Sequence, residues 1–592
     1  MNDWRISEKI DKVKPLLDDI SPTFCLAKWL YVQIHLPHGL TQSCYHPPAH
    51  NIPLDELEQN PSALHNTKFK IAERKQMVLG KQPPGCEYCW KIENLKNSEQ
   101  ISDRLYRSSE DWAAENYDYI TDNEYNFNVK PAYLEVNFSH ACNQKCIYCS
   151  PHLSSTWYDE IEEFGPFKLK TLGKKFNHST TITEVDHLHN DIKYLEEQGK
   201  LPFEVRKENK VKKKDNPYVK AFWKWLPHIY DNLHHLRMTG GEPLMHKDTY
   251  KVLNYILENP SPNLQIGITT NLCPSNNSTF EKFIKILKKL ENPIDNNVLK
   301  IWEKNNYLKE ITYFAKNDNK NIRQKDGSYK WQNWPRFIVN DNEKVDKEIE
   351  PTLSRIDRKK IVGVFNEKNR NETTGDFFYK QLWLKPINNN WRCLGSTDFE
   401  KEGNEGIVDN FSAYEHLMLY VSLDSVGKQA EYMRYPLDFK ILENNVHLIL
   451  KNLTRTNITF INTFNLLSVS SIQYFLEFVH NLKNEYGFDK VTFDIPFLEY
   501  PNWLAIDILT KDFLQYMYDT EKYITEYDTF SEKEIKKVER NIRYMEDKIL
   551  GENDYSLQRK NFALYIDQLD KRRNTNFLKI FPEYTEFYNL CN

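Results

Sequence analysis

His140-Ala-Cys-Asn-Gln-Lys-Cys-Ile-Tyr-Cys-Ser150 follows directly on an apolar, strand-like run, Tyr133–Phe138. Cys142, Cys146 and Cys149 are therefore offered to a metal from one tight loop at the end of a strand. A cubane iron–sulfur cluster takes four thiolates, one per iron, so a self-contained triplet leaves one iron free to hold a substrate or cofactor. The competing reading is a partial zinc site or a set of inert buried thiols, although structural zinc takes four ligands, usually as paired knuckles.

Farther along, Leu236-Arg-Met-Thr-Gly-Gly-Glu-Pro-Leu244 reads as a short strand running into a Gly-Gly turn, with Pro243 near a helix start. Adjacent glycines let the backbone come close to a ligand and present its carbonyls. Alone, this is an ordinary strand-to-helix turn; behind the cysteine loop it gains weight.

The CxxxCxxC spacing, with the aromatic Tyr148 before the last cysteine, resembles the cluster loop of the radical S-adenosylmethionine (SAM) superfamily. Gly240, Gly241, Glu242 and Pro243 match that superfamily's GGEP motif. The resemblance implies a 4Fe-4S cluster on Cys142, Cys146 and Cys149 whose remaining iron chelates the amino and carboxylate groups of SAM. It further implies reductive cleavage of SAM to methionine and a 5′-deoxyadenosyl radical that abstracts hydrogen, chemistry the cofactor carries and the protein orients. Tyr148 would pack by the adenine, and the GGEP segment would lie along the methionine amino group. Leu417–Ser425 reads as a strand ending in polar groups, which by the same resemblance brings Ser422 and Asp424 near the ribose and pairs Arg434 with the SAM carboxylate. Strand-end solvation and a surface ion pair are the alternatives for these residues. Asn465, at the end of the strand Ile458–Phe464, would face the adenosine. An electron donor such as flavodoxin or ferredoxin is implied as partner.

Strand and helix patterns alternate through the core. The strands are read at Tyr133–Phe138, Leu236–Met238, Leu264–Thr270, Met418–Leu423, Ile458–Phe464 and Lys490–Ile495, with helices at Thr249–Asn259, Phe280–Leu290 and Phe439–Leu453. Phe280, Phe283, Ile284, Leu287 and Leu290 carry the helical spacing of the second. Such alternation calls for a parallel sheet with right-handed crossovers. The expected fold class is α/β, a partial (β/α)6 TIM-like radical SAM barrel with an N-terminal cysteine-rich segment and an inserted subdomain. The barrel rule places the active site at the C-terminal strand ends, where the cysteine loop, the Gly-Gly turn and Asp424 fall.

At 592 residues the chain exceeds one ordinary core. The expected division is 1–125 (cysteine-rich), 126–292 (barrel, with 151–230 inserted), 293–410 (inserted subdomain), 411–510 (barrel) and 511–592 (helical). A net charge of -5 demands neither nucleic acid nor an anionic membrane as partner. No stretch is long and apolar enough to span a bilayer, and Met1-Asn-Asp-Trp-Arg lacks a signal-peptide core, so the cytoplasm is expected. Ten cysteines in a reducing compartment argue for metal or catalysis.

Four of those cysteines precede the barrel: Cys25, Cys44, and the pair in Gly85-Cys-Glu-Tyr-Cys89. A Cys-x-x-Cys after a glycine turn is a common metal knuckle, and four thiolates can close a structural zinc or hold a fully ligated cluster. Spacing favours neither. The segment resembles the twitch and SPASM auxiliary-cluster modules of radical SAM enzymes, displaced to the N-terminal side, which implies a second auxiliary iron–sulfur cluster, with zinc as the alternative. His46 and His50 are nearby candidate ligands or plain loop histidines. Cys273, Cys393 and Cys591 stand alone and receive no role. Asn271 and Cys273, after the third strand, either line the cavity or simply end the strand.

The basic run Arg206–Lys214 is a solvated surface or an anion-attracting patch, Trp223 and Trp225 pack a helix onto the sheet, and Trp331, Trp334, Trp383 and Trp391 let the later insertion fold. His187, His189, His234 and His235 are packing or surface residues before they are metal ligands. The leading expectation is a radical SAM enzyme acting on a peptide, with a small-molecule substrate open. The rival is a zinc-dependent nucleic-acid-binding or structural protein.

Overall fold

The computed structural model describes residues 4–94, 101–125, 127–170, 191–206, 209, 215–261, 263–291, 412–551 and 553–592, together with isolated strands between 309 and 409. The strands are β1 Tyr31–His35, β2 Leu40–Gln42, β3 His50–Asn51, β4 Tyr133–Asn137, β5 His235–Thr239, β6 Gln265–Thr270, β7 Lys309–Lys316, β8 Ile338–Val339, β9 Phe377–Ile387, β10 Asn390–Phe399, β11 Ile407–Asp409, β12 His416–Ser422, β13 Thr456–Ile461 and β14 Val491–Asp494. They form a nine-stranded sheet in the order β14-β13-β12-β6-β5-β4-β1-β2-β3 and a five-stranded sheet in the order β11-β10-β9-β7-β8.

From β14 through to β1 every neighbouring pair is parallel, and only β2 and β3 turn back antiparallel. The chain is thus an α/β protein. Helices join the parallel strands, among them Pro217–Ile229, Lys247–Glu258, Asn277–Glu291, Phe439–Asn452 and Ile472–Tyr486. Each reads as an amphipathic helix whose buried stripe, such as Phe280, Phe283, Ile286, Leu287 and Leu290, is pressed onto the sheet.

Burial alternates along β5, β12 and β14, whereas β4 buries Glu135 and Asn137 as well. Leu134, Val136, Leu236, Met238, Leu419 and Val421 are wholly buried toward the helices. Their neighbours Tyr133, Arg237, Tyr420 and Ser422 are half-exposed on the other face. Parallel sheets are ordinarily apolar on both faces because helices cover both. The second face of this sheet instead carries polar groups, among them Gln33, Glu135 and Arg237.

The sequence reading placed the shared strands within one to three residues, but it did not assign β1. Tyr31-Val-Gln-Ile-His35 adds to the parallel sheet, pairing Gln33 with Glu135 and His35 with Asn137. The N-terminal cysteine-rich segment is therefore stitched to the sheet edge rather than hung beside it. The 293–410 segment contributes the antiparallel sheet through β7, β8, β9, β10 and β11; Trp331 and Trp334 lie outside the described residues, as do His187, His189 and most of Arg206–Lys214. Trp225 is buried in the core and Trp223 stacks with Phe138, as expected of a packing helix.

The C-terminal segment is helical and docks back. Ser531 and Glu534 form a capping box at the start of Glu532–Ile549. Helix Ser556–Arg573 and the following Phe577 and Phe581 pack beside Tyr432. No helix among the described residues is long and apolar enough to cross a membrane.

Candidate metal centres

The cysteine loop leaves β4 and is clamped on three sides. Ser155, in the helix Ser155–Phe164, accepts from the Cys142 amide at 3.1 Å through its hydroxyl and donates back to the Cys142 carbonyl. Trp157 donates its indole N–H to the Cys146 carbonyl at 2.8 Å. The Ile147 amide bonds the Met433 carbonyl at 2.9 Å, and the Tyr565 hydroxyl of the C-terminal helix reaches the Ile147 carbonyl. Distant pieces of chain thus fix the backbone between the thiols.

The Gly-Gly turn is laced directly to this loop. The Gly241 amide donates to Ser139 at 3.0 Å and the Glu242 amide to Ala141 at 2.7 Å. A Cβ on Gly241 would sit 2.4 Å from the Ala141 carbonyl oxygen, and one on Gly240 would sit 2.5 Å from the Asn137 side chain. Gly240 also has φ +134°, a conformation that favours glycine. Both glycines are required by close approach.

Glu242 is buried behind the turn, and its charge helps raise the Cys142 thiol. Its carboxylate accepts from Thr270 at 2.7 Å, the Asn271 amide at 2.6 Å and the Leu244 amide at 3.0 Å, and burial raises it to about 7. It ties the turn to the end of β6. Pro243 is buried and opens the short helical turn Pro243–Met245.

Asp424, wholly buried, and Arg434 form an ion pair at 2.9 Å. The Tyr148 hydroxyl donates to Asp424 at 2.9 Å and accepts from Arg434, whose other terminal nitrogen lies 3.6 Å from the Cys146 sulfur. Burial acts to lower the Arg434 guanidinium, but the charges of Asp424, Tyr148 and Cys146 outweigh it and hold it above its usual value. Arg434 is thus held by Asp424, Tyr148 and a thiol, and the ion pair is buried rather than at the surface. Ser422 closes β12 on the polar face, half-exposed. β13 ends at Ile461, and the buried Asn465 amide bonds Thr463, Ser468 and Leu467 within its own turn.

Burial pushes all three loop thiols up, Cys149 to about 12, and Cys146 adds to the shift at both Cys142 and Cys149, so the sulfurs sense one another. Three buried nitrogens around the loop, His140 Nδ1, Gln144 Nε2 and Arg434 Nε, have no hydrogen-bond partner. Native interiors leave few such groups without an unseen water or ion to answer them. Thiols that stay neutral unless countered by positive charge, ringed by orphan donors, fit an anionic metal–thiolate group.

Cys25, Cys44, Cys86 and Cys89 line one cavity of about 30 Å³, together with Lys28, His46 and Arg104. The sulfurs of Cys25, Cys44 and Cys89 each accept a backbone N–H, from Lys28, His46 and Arg104 respectively. The Lys28 ammonium lies 3.7 Å from the Cys86 sulfur while paired with Glu73. Burial raises Cys86 to about 11 and Cys44 to about 12. His46 is bonded to Asp103 at 2.7 Å and His50 to Thr67 at 2.9 Å, which makes them packing histidines. Four converging thiols with a donor for each fit a metal–thiolate group here too. Among the described residues no group of three His, Cys, Asp or Glu is arranged around a single ion; a cubane makes no such demand, because its thiolates bind separate irons.

No protein-family model matches the chain, and no curated protein matches it. Among solved structures, that of Streptococcus suis SuiB bound to precursor peptide SuiA aligns over 85% of this chain and 69% of that chain, at 11% identity and a TM-score of 0.27. A likeness at that level leaves fold and function to be argued from this chain's own residues.

Sequence reasoning missed the strut between the cysteine loop and β6. Asn143 donates to the Cys273 carbonyl at 2.6 Å and accepts from Asn271 at 2.9 Å. Between them Leu272 is held at φ +55°, strained for a leucine, with its carbonyl bonded by Asn445 at 2.9 Å. Asn271 is therefore structural to the loop. The motif itself held the one usable signal, an asparagine directly after Cys142.

Proposed function

We propose that the chain is a radical SAM enzyme in which Cys142, Cys146 and Cys149 hold a 4Fe-4S cluster with one iron open to S-adenosylmethionine. The observation that carries this reading is the lacing of the Gly-Gly turn onto the three-thiol loop at the C-terminal end of β4. When bound, the cluster and SAM supply one-electron cleavage of a carbon–sulfur bond and a hydrogen-abstracting species. The protein's own work is positioning: Ser155, Trp157 and Tyr565 hold the loop, Gly240 and Gly241 leave room beside it, and the paired Asp424 and Arg434 fix Tyr148.

The sheet is proposed to curve as a partial barrel whose βα units are built on β4, β5, β6, β12, β13 and β14, with β1 added at one edge. The division at 1–125, 126–292, 293–410, 411–510 and 511–592 is retained within this proposal. The polar face of the sheet is the substrate side. It is supported by a hydrogen-bonded run in which Gln42 reaches Gln33 at 2.6 Å, Gln33 reaches Glu135 at 2.8 Å, and Arg237 lies 3.8 Å from Glu135 and 3.0 Å from Thr269. A peptide is the proposed substrate and a flavodoxin- or ferredoxin-type protein the proposed electron donor. The N-terminal thiols are proposed to hold an auxiliary cluster.

Anaerobically reconstituted protein, reduced with dithionite and given SAM, should release 5′-deoxyadenosine and methionine in equal amounts. Formation of neither by an iron-loaded preparation would remove the proposal.

A further inference from the structure

In each cysteine set one buried cation contacts one sulfur and is anchored by a buried carboxylate, while Arg104 at the N-terminal set and Arg573 at the loop act from farther off. At the loop, Arg434 is paired with Asp424 at 2.9 Å and points a terminal nitrogen at Cys146 from 3.6 Å. At the N-terminal set, Lys28 is paired with Glu73 and points its ammonium at Cys86 from 3.7 Å. Sequence does not relate the two devices: Arg434 follows β12 and Asp424 ends that strand's polar tail, whereas Lys28 and Glu73 belong to separate helices, Leu26–Leu30 and Lys68–Val78. The side-chain exposures, 5% for Arg434, 0% for Asp424, 2% for Lys28 and 6% for Glu73, leave little water to screen either charge.

Resting on the proposed clusters, we propose that Arg434 and Lys28 are tuning residues, each setting the reduction potential of the cluster on its own cysteine set. Reduction by dithionite adds one electron to a group already made negative by thiolates. A cation a few ångströms from one sulfur stabilises the reduced form more than the oxidised one and raises the potential. The carboxylate behind each cation holds it in place and is the farther charge from the sulfur. Cation–sulfur contact is a known class of lever on such clusters, acting through hydrogen bonds and local charge.

Removing a cation alone strands a buried carboxylate, so the test uses neutral pairs. Redox titration of the reconstituted full chain, followed by electron paramagnetic resonance, reads the two clusters separately. Arg434→Gln with Asp424→Asn should move only the loop cluster to a more negative potential. Lys28→Met with Glu73→Gln should move only the N-terminal cluster, also to a more negative value. Arg434→Lys and Lys28→Arg, which keep the charge, should move their cluster less than the neutral pair does. Unchanged potentials in the neutral pairs, equal shifts at both clusters from either pair, or equal shifts from charge-keeping and charge-removing variants would overturn the tuning role. Failure of the wild-type chain to take up any iron would instead remove the proposed function, and the two failures are read on different samples.

Discussion

Cys142, Cys146 and Cys149 come from a single loop, whereas Cys25, Cys44, Cys86 and Cys89 are gathered from a helix start, a turn beyond β2 and a short helical knuckle. The loop thiols are all partly exposed; in the N-terminal set Cys86 and Cys89 are buried and the four enclose one small cavity. Both sets share the same support, a backbone N–H or a cation at the sulfurs and a buried carboxylate behind the cation. What differs is the ligand count and the way out. Under the proposed function, three thiols beside a Gly-Gly turn would leave one iron of a cubane open. Four thiols closed on one another would leave none. On that proposal, one site would react and the other would hold.

The largest expected effect separates the two outright. Replacing Cys142, Cys146 and Cys149 with alanine should abolish 5′-deoxyadenosine formation and remove one cluster's iron, while metal at the N-terminal set persists in elemental analysis. Replacing Cys86 and Cys89 should do the reverse, removing only the N-terminal metal and leaving SAM cleavage measurable. Equal loss of metal from both sets in either variant would merge the sites into one cooperative unit.

Gly241→Ala comes next. Its Cβ would lie 2.4 Å from the Ala141 carbonyl, so the loop and turn must separate. Loss of iron from the loop cluster alone is expected, with a thermal unfolding midpoint lowered by an overpacking cost of about 1–3 kcal/mol. Arg434→Ala and Lys28→Ala test the shared support. Each leaves a buried carboxylate unpaired, at a cost of about 3–5 kcal/mol in denaturant unfolding, and the matching neutral pairs should recover much of it.

How much of this was legible follows from the reach of each interaction. The strands β4, β5, β6, β12, β13 and β14 were readable because their pattern is local, with buried Leu236 and Met238 or Leu417, Leu419 and Val421 at alternate positions. Tyr31-Val-Gln-Ile-His35 has the same alternation, with Val32 and Ile34 buried, but it lies among cysteines that drew the reading toward metal. The cysteine loop and GGEP turn were legible as motifs. Their supports were not, because Asn143, Asn445, Tyr565 and Lys28 act across long sequence separations. The turn built by Asn465 was not legible, because a polar residue after an apolar run looks the same whether it faces a cavity or folds into its own turn.

The smallest expected effect concerns Glu242, present beside only one of the two sites. Its carboxyl is raised by burial from 4.5 to about 7, so the folded state retains a proton that the unfolded chain releases. Stability from this group is complete below about pH 4.5 and falls as the pH rises through 7, by on the order of 3 kcal/mol. Glu242→Gln should flatten that slope in unfolding midpoints measured across the window, and an unaltered slope would assign it to other groups.

The most direct measurement is the iron, sulfide and zinc content of anaerobically reconstituted wild-type chain beside the triple Cys142, Cys146 and Cys149 variant, each reduced in the presence of SAM and assayed for 5′-deoxyadenosine. About eight irons falling to about four, with deoxyadenosine formed only by the wild type, is the expected result. Zinc alone in both, with no deoxyadenosine from either, would contradict a radical SAM centre on this loop.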